Sequence, residues 1–338
     1  MVRNTPEVKQ LNTELIRREI QRNEKSTKAS ISKETGLSVA TCNTIINELL
    51  GTGEIIQADQ ETVYMGRPAV RYQYNRDYHH VLVMYISNEQ GINKIEYVIA
   101  DALGNQVQRE QISPKTITYD LIAELVGDAI VKDSLIQGMT FGIPGVSHHG
   151  VIEYCDVESV VGIDIEGRLK QQFGIDVEVR NDMDFIASGV YHSINNISGN
   201  LATVYFPSKS DGCVGCGFVI DGKVLRGSSK FAGEISYAAE AFGVSRKEQQ
   251  KLTENRQSFI EFVSKAVLIV IATIDPEVIM IIGDNITQEE IIEIQNQCKR
   301  VVSEQHIPKL ITDSKISEHY LNGLIYTALK QLQFPILE

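Results

Sequence analysis

Residues 177–184 read VEVRNDMD. Val177, Glu178 and Val179 alternate as a strand with one buried face does, and the run stops at two short polar residues, Asn181 and Asp182. A helical pattern then runs from Met183 to His192. A strand that enters a helix through Asn-Asp has a plain local explanation, because both residues favour helix starts. The same pair also suits a hydroxylated ligand, since a carboxylate accepts two hydroxyl protons and an amide offers a donor and an acceptor together.

Outward from this stretch, strand and helix signals alternate. HHVLVMYIS and KIEYVIADALGNQV read as strands with a turn at Gly104-Asn105, and Tyr119–Lys132 reads as an amphipathic helix. IQGMTFGIPG is a buried strand ending in a bend at Pro144-Gly145. The plan recurs in the second half: the strand LATVYFP, the hairpin CGFVIDGKVLRG turned at Asp221-Gly222, a long apolar helix over QSFIEFVSKAVLIVIATID, and the strand VIMIIGD. This alternation predicts a layered α/β body over 78–338 made of two lobes, approximately 78–182 with the C-terminal end and 183–320, and a ligand cleft between them.

Residues 1–75 read differently. Val8, Leu11, Leu15 and Ile20 predict a first helix over 6–23, and TKASISKET predicts a short second one, burying Ala29 and Ile31 and stopping at Gly36. In LSVATCNTIINELLGTG, Ser38 caps a third helix whose inner face is Val39, Cys42, Ile46 and Leu49. Its other side carries Ala40, Thr41, Asn43, Thr44 and Asn47, small groups suited to base edges and phosphates. A hairpin follows, with Arg67 between Gly66 and Pro68 suited to a narrow minor groove. Helix, helix, turn, helix and wing describe a winged helix-turn-helix with DNA contacts at Ser38, Ala40, Thr41, Asn43, Thr44, Asn47 and Arg67. A three-helix protein-binding module remains the alternative.

Composition agrees with this division. The 338 residues carry a formal net charge of −12, which argues against a chain that coats nucleic acid or anionic membrane. Residues 1–76 hold 11 basic against 9 acidic side chains, and the remainder 21 against 35. The longest apolar run, Ala266–Ile274, falls short of the roughly 20 residues of a membrane span. Five scattered cysteines and no secretory start pattern lead to the expectation of a reducing cytoplasm.

The order of GIPGVSHHGVI, FGIDVEVRNDMDFIASG, GCGFVIDGKVLRGSSKFAGEIS and IDPEVIMIIGD, behind a winged helix ending in GRP, resembles the ROK family of repressors and sugar kinases over nearly the whole chain. The resemblance implies the actin-like, sugar-kinase-like fold, with sugar held between the lobes. It implies ligand contacts at Gly145, Asn181, Asp182 and Glu234, with Tyr237 standing where the family has a histidine. In the family's kinases the residue matching Asp182 is the base.

Departures from the family pattern direct the reading away from catalysis. YISNEQG (85–91) lacks the acidic and paired-glycine pattern of the first phosphate loop, with Glu89 too late to replace it. Asp211 and Cys213 stand where the second loop alternates glycines, and residues 238–297 contain none of the cysteines of the family's structural zinc loop. Cys213 and Cys216 alone make a weak zinc motif. The resulting expectation is a sugar-responsive repressor without catalytic residues, cofactor or metal. It would act as a homodimer or dimer of dimers on double-stranded operator DNA, with a sugar or sugar phosphate as ligand. Two alternatives stay open: an ATP-dependent sugar kinase with a DNA-binding head, and a regulator whose cleft no longer binds sugar.

Overall fold

The computed structural model describes residues 5–58, 69–89, 91–194, 197, 199–207, 213–249, 251–252, 255–283 and 286–333. Arg67 and Asp211 lie outside them. The chain divides into two compact units, Met1–His80 with Ala100–Val107, and Val81–Ile99 with Gln108–Glu338.

The first unit contains α1 (Thr5–Arg22), β1 (Ser26–Thr27), α2 (Lys28–Thr35), α3 (Val39–Thr52), β2 (Ile55–Ala58) and β3 (Arg71–Tyr74), with β3 antiparallel to both β1 and β2. Thr27 and Ser30 form a reciprocal capping box at the start of α2. Gly36, at φ 70°, ends α2 in the left-handed conformation that glycine adopts without penalty, and Ser38 caps α3 two residues later. Ile16, Ile20, Ile31, Cys42, Ile45, Ile46 and Leu49 form the core with Tyr72 and Tyr74.

That core differs from the expected one. Val8, Leu11 and Leu15 are exposed, as are Ala29 and Val39, whereas Ile16 and Ile45 are buried. Helix α1 carries two apolar stripes, and periodicity alone does not choose between them. The choice is made by Arg17, which lies beside Ile16 and pairs with Glu54 and Glu14, while the Tyr74 hydroxyl donates to Glu54 at 3.1 Å. A half-buried arginine must keep its carboxylates, and so α1 is rotated to satisfy it.

The second unit begins with β4 (His80–Glu89), β5 (Ile92–Ala100), β6 (Gln106–Ile112), α4 (Tyr119–Lys132), β7 (Ile136–Ile143), β8 (Gly145–His148), β9 (Val151–Cys155), α5 (Ile165–Phe173) and β10 (Asp176–Asn181). After α6 (Asp182–Ser193) come β11 (Leu201–Tyr205), β12 (Gly215–Ile220), β13 (Lys223–Val224), α7 (Ile235–Ala241), α8 (Arg246–Gln249) and α9 (Arg256–Ile274). The chain continues through β14 (Val278–Ile282), α10 (Gln288–Lys299), β15 (Lys309–Asp313) and α11 (Ile316–Gln333). Two five-stranded sheets result, ordered β10-β7-β4-β5-β6 and β13-β12-β11-β14-β15. Helix α9 is long and apolar enough to cross a membrane by length and composition, but its Phe259, Val263, Val267 and Val270 belong to the second sheet's core.

Each sheet presents its outer face to one set of helices and its inner face to a single one. In β7, Met139, Phe141 and Ile143 join the core with α4 and α5. The alternate positions, Gly138, Thr140 and Gly142, face α11: Thr140 Oγ1 donates to the Leu324 carbonyl at 3.1 Å, and a Cβ on Gly142 would stand 2.1 Å from the Tyr320 hydroxyl oxygen. In the second sheet, Val219, Val278, Met280 and Ile282 pack against Met183, Ile186 and Val190 of α6. The sheets are joined where α6 crosses α11. There a Cβ on Gly189 would lie 1.9 Å from the His319 carbonyl oxygen, and one on Gly323 would lie 1.8 Å from that of Phe185.

The same substitution is therefore expected to act in opposite directions at two helical glycines. Gly323→Ala forces two backbones apart and should destabilise the body by about 3 kcal/mol or more. Gly51→Ala in α3, with nothing within 4 Å of the new methyl, should stabilise the first unit by ~0.5 kcal/mol. Urea denaturation followed by circular dichroism checks both.

Candidate functional site

Between the two sheets lies a cleft of about 370 Å³ with Pro144, Gly145, Asp156, Asn181, Asp182 and Glu234 in its wall. Gly145 opens β8 opposite Cys155, and a Cβ there would stand 2.1 Å from the Tyr154 carbonyl oxygen, so the wall closes only around glycine.

Asn181 ends β10 and caps α6. Its Oδ1 accepts from the Met183 N–H at 2.7 Å, and its Nδ2 donates to the Gly145 carbonyl at 2.8 Å. Capping and wall-building thus occupy both ends of the amide. Asp182 follows at the first position of α6, its Oδ1 accepting from the Met183 N–H at 2.8 Å. Burial pushes the Asp182 carboxyl up to about 7, the Met183 N–H opposes the rise, and the nearby Asp156, Glu234 and Asp184 carboxylates add to it.

Glu234 precedes α7 without capping it. It is held in place by Gly233, whose φ of 101° and close approach to the Cys216 carbonyl exclude a side chain. Its carboxyl is raised by burial, with Arg246 pulling the other way and Asp156 pushing further. Of the expected contacts, the structure brings Gly145, Asn181, Asp182 and Glu234 together. Tyr237 is outside the wall: the turn of α7 that aims Ser236 inward leaves Tyr237 42% exposed, its hydroxyl accepting from Arg246 Nη1 at 3.0 Å.

Three charged residues of the cleft wall were not among the expected contacts. Asp156 accepts from the Tyr154 hydroxyl at 3.1 Å, and its carboxyl is raised by burial. Arg246, at the start of α8, reaches both Tyr154 and Tyr237. Glu89, at the end of β4, also reaches the wall, its carboxylate paired with Lys94 at 2.7 Å. The periodicity of β4 carried the one available signal for Glu89, whereas Asp156 follows the end of β9 and Arg246 opens a helix of four residues, too short to show a period.

Gly215 and Gly217 of β12 serve the packing of α6. A Cβ on Gly217 would lie 2.4 Å from the Met183 carbonyl oxygen, so β12 needs glycine to receive the start of α6. The donors for the family's zinc do not fit either: among the described residues no three His, Cys, Asp or Glu side chains are grouped to hold a metal ion, and Cys216 is buried in β12.

In the first unit, Ala40, Thr44 and Asn47 of α3 are exposed, and Thr41 and Asn43 half-buried. Ser38 Oγ and Thr41 Oγ1 bond each other at 2.9 Å, and Thr44 Oγ1 donates to the Ala40 carbonyl at 3.2 Å. The Asn43 and Asn47 amides, four residues apart, and the exposed Val39 and Ala40 side chains complete this face.

A helix-turn-helix head on a two-lobed α/β body with an acidic cleft is the arrangement of a ligand-gated regulator or of an appended kinase. Residues 85–241 match the ROK family model, and residues 13–53 match the model for winged helix-turn-helix DNA-binding domains. The chain carries a ROK-family domain behind a winged helix-turn-helix. It is 24% identical over 246 residues to a xylose repressor from Caldicellulosiruptor bescii and 22% identical over 239 to one from Bacillus subtilis. These alignments cover 70% and 68% of this chain, and the chain spans about 60% of the length of those relatives. A solved ROK-family transcriptional regulator, a homolog of the E. coli MLC protein, superposes with TM-score 0.66 and 18% identity over 95% of this chain and 99% of its own. The ROK hexokinase from Thermus thermophilus gives 0.56 and 17% over 75% and 99%, a likeness of fold.

The raised Asp182 carboxyl gives a signed pH dependence. Folding favours its protonated form, so its contribution declines as pH rises from about 4, the unfolded value, to about 7. Asp182→Asn removes that decline. Relative to wild type, the variant should gain stability across this window by no more than ~1.4 kcal/mol per pH unit, as measured by urea denaturation at pH 5 and pH 8.

Proposed function

We propose that this chain is a sugar-responsive transcriptional repressor rather than an enzyme. It reads operator DNA through α3 and the wing, and binds a sugar between the lobes through Asp182 and Glu234, with Asn181 and Gly145 shaping the wall. The observation that carries the reading is the convergence of three carboxyls, Asp156, Asp182 and Glu234, in a cleft bordered by a 85–91 stretch without paired glycines. Carboxylates accept sugar hydroxyls well, whereas phosphoryl transfer depends on donors and charge compensation around phosphate.

That excess of acid also refines the ligand. A neutral or amino sugar suits the cleft better than a sugar phosphate, and the names of the curated relatives make xylose the first to test. Sugar across the cleft favours one arrangement of the lobes, and linkage carries the preference to the DNA-reading head. A homodimer in the cytoplasm, with two heads on two half-sites, fits this mode of reading.

Thermal denaturation with a panel of neutral, amino and phosphorylated sugars, and with ATP and magnesium, tests the cleft. A neutral sugar at ~100 times its dissociation constant should stabilise the fold by about 2.7 kcal/mol. The effect should vanish in Asp182→Ala and weaken below pH 7 as Asp182 takes up its proton. Sugar-dependent ATP consumption would instead favour the kinase, for which a base near neutrality is suited. For DNA, Asn47→Ala should cost ~1–3 kcal/mol on a sequence obtained by selection from random DNA, with little change on nonspecific DNA.

A further inference from the structure

A row of aromatic rings leads outward from the acidic cleft. Tyr154 and Arg246 belong to the cleft wall, and Tyr237 and Phe231 stand beyond it. Arg246 Nη2 donates to the Tyr154 hydroxyl at 3.4 Å and Nη1 to the Tyr237 hydroxyl at 3.0 Å, and the Tyr237 and Phe231 rings have centres 5.2 Å apart. The three rings are 42–45% exposed. Large rings left to solvent side by side form a patch of the kind that marks a binding surface, whereas scattered surface rings do not.

Both ends of the row are tied to carboxyls of the cleft. The Tyr154 hydroxyl donates to Asp156 at 3.1 Å, and the Glu234 N–H donates to the Phe231 carbonyl at 3.4 Å. Arg246 is the only cation among the described residues of the wall. Burial raises the Asp156 and Glu234 carboxyls, and Arg246 opposes the rise in both. Its charge is balanced within the cleft, so the row offers ring faces, hydroxyls and guanidinium N–H groups without an excess of positive charge. A sugar ring is the complement of such a surface, having an apolar C–H face and a rim of hydroxyls.

We propose that Tyr154, Tyr237 and Phe231 form an outer subsite for the second ring of a neutral disaccharide whose first ring occupies the cleft, with Arg246 donating to hydroxyls where the two rings join. The proposal rests on the reading of the cleft as a sugar site and adds the length of the sugar. A disaccharide placed in this way touches β9 beside the first sheet and α7 beside the second, so it favours one arrangement of the sheets more strongly than a monosaccharide does.

Isothermal titration of the full chain with xylose and xylobiose, and with glucose and cellobiose, tests the subsite. In at least one pair the disaccharide should bind ~10-fold or more tighter than its monosaccharide, the effect of one well-placed aromatic contact. Phe231→Ala should remove that gain with the monosaccharide affinity unchanged, and Tyr237→Ala should remove it too. Tyr237→Phe, which keeps the ring and gives up the bond to Arg246, should retain it. Asp182→Ala should abolish binding of both sugars. A monosaccharide that binds while its disaccharide binds no tighter overturns the proposal and leaves the sugar reading of the cleft standing. A gain that survives Phe231→Ala and Tyr237→Ala, or disaccharide binding that survives Asp182→Ala, also overturns it. Binding of none of the four overturns it together with the neutral-sugar reading on which it rests.

Discussion

Where α6 crosses α11, two backbones meet with no side chain between them, at Gly189 and Gly323. Everything that defines the body is referred to this crossing. Helix α11 lies on the first sheet because β7 offers it Gly138, Thr140 and Gly142, and α6 lies on the second because Gly215 and Gly217 of β12 receive its first turn. Two sheets with separate cores are thereby joined by a helix pair whose backbones meet with no side chain between them.

The Asn-Asp pair divides its work in consequence. Asn181 is spent on structure: one end of its amide caps α6 and the other holds the Gly145 wall. That fixes Asp182 in the wall of the cleft, where burial raises its carboxyl and Asp156, Glu234 and Asp184 raise it further. The capping reading falls to Asn181, and Asp182 is left in the wall of the cleft. A group near neutrality among acids favours a ligand that donates hydrogen bonds without bringing negative charge.

How much of this was legible in the sequence depended on whether a local period carried it. The boundaries of α4, the turn at Asp221-Gly222 (φ 50° and 73°) and the cap of α3 follow from rules acting over a few residues. The choice of buried stripe on α1 did not, because the partner that rotates the helix, Glu54, lies 37 residues from Arg17. Arg246 was invisible for the same reason, as it meets Tyr154 from 92 residues away. Tyr237 was misplaced toward the cleft because a matched motif position says which residue follows Glu234 but not which way the first turn of α7 faces.

Arg246 also helps to close the segment that follows Glu234. The resemblance implies that the segment after Glu234 is stapled by zinc, a bond set that contributes ~10 kcal/mol or more to small structural sites. Here the same segment is closed by Gln249, whose Nε2 donates to the Ser236 carbonyl at 2.9 Å and the Val244 carbonyl at 3.1 Å, and by Arg246 on Tyr237. Hydrogen bonds of this kind contribute ~1 kcal/mol each. Arg246 further spans the cleft mouth, since Tyr154 belongs to β9 beside the first sheet and Tyr237 to α7 beside the second. Four hydrogen bonds of this size make the segment one of the body's weaker closures, set where the two sheets face each other across the cleft.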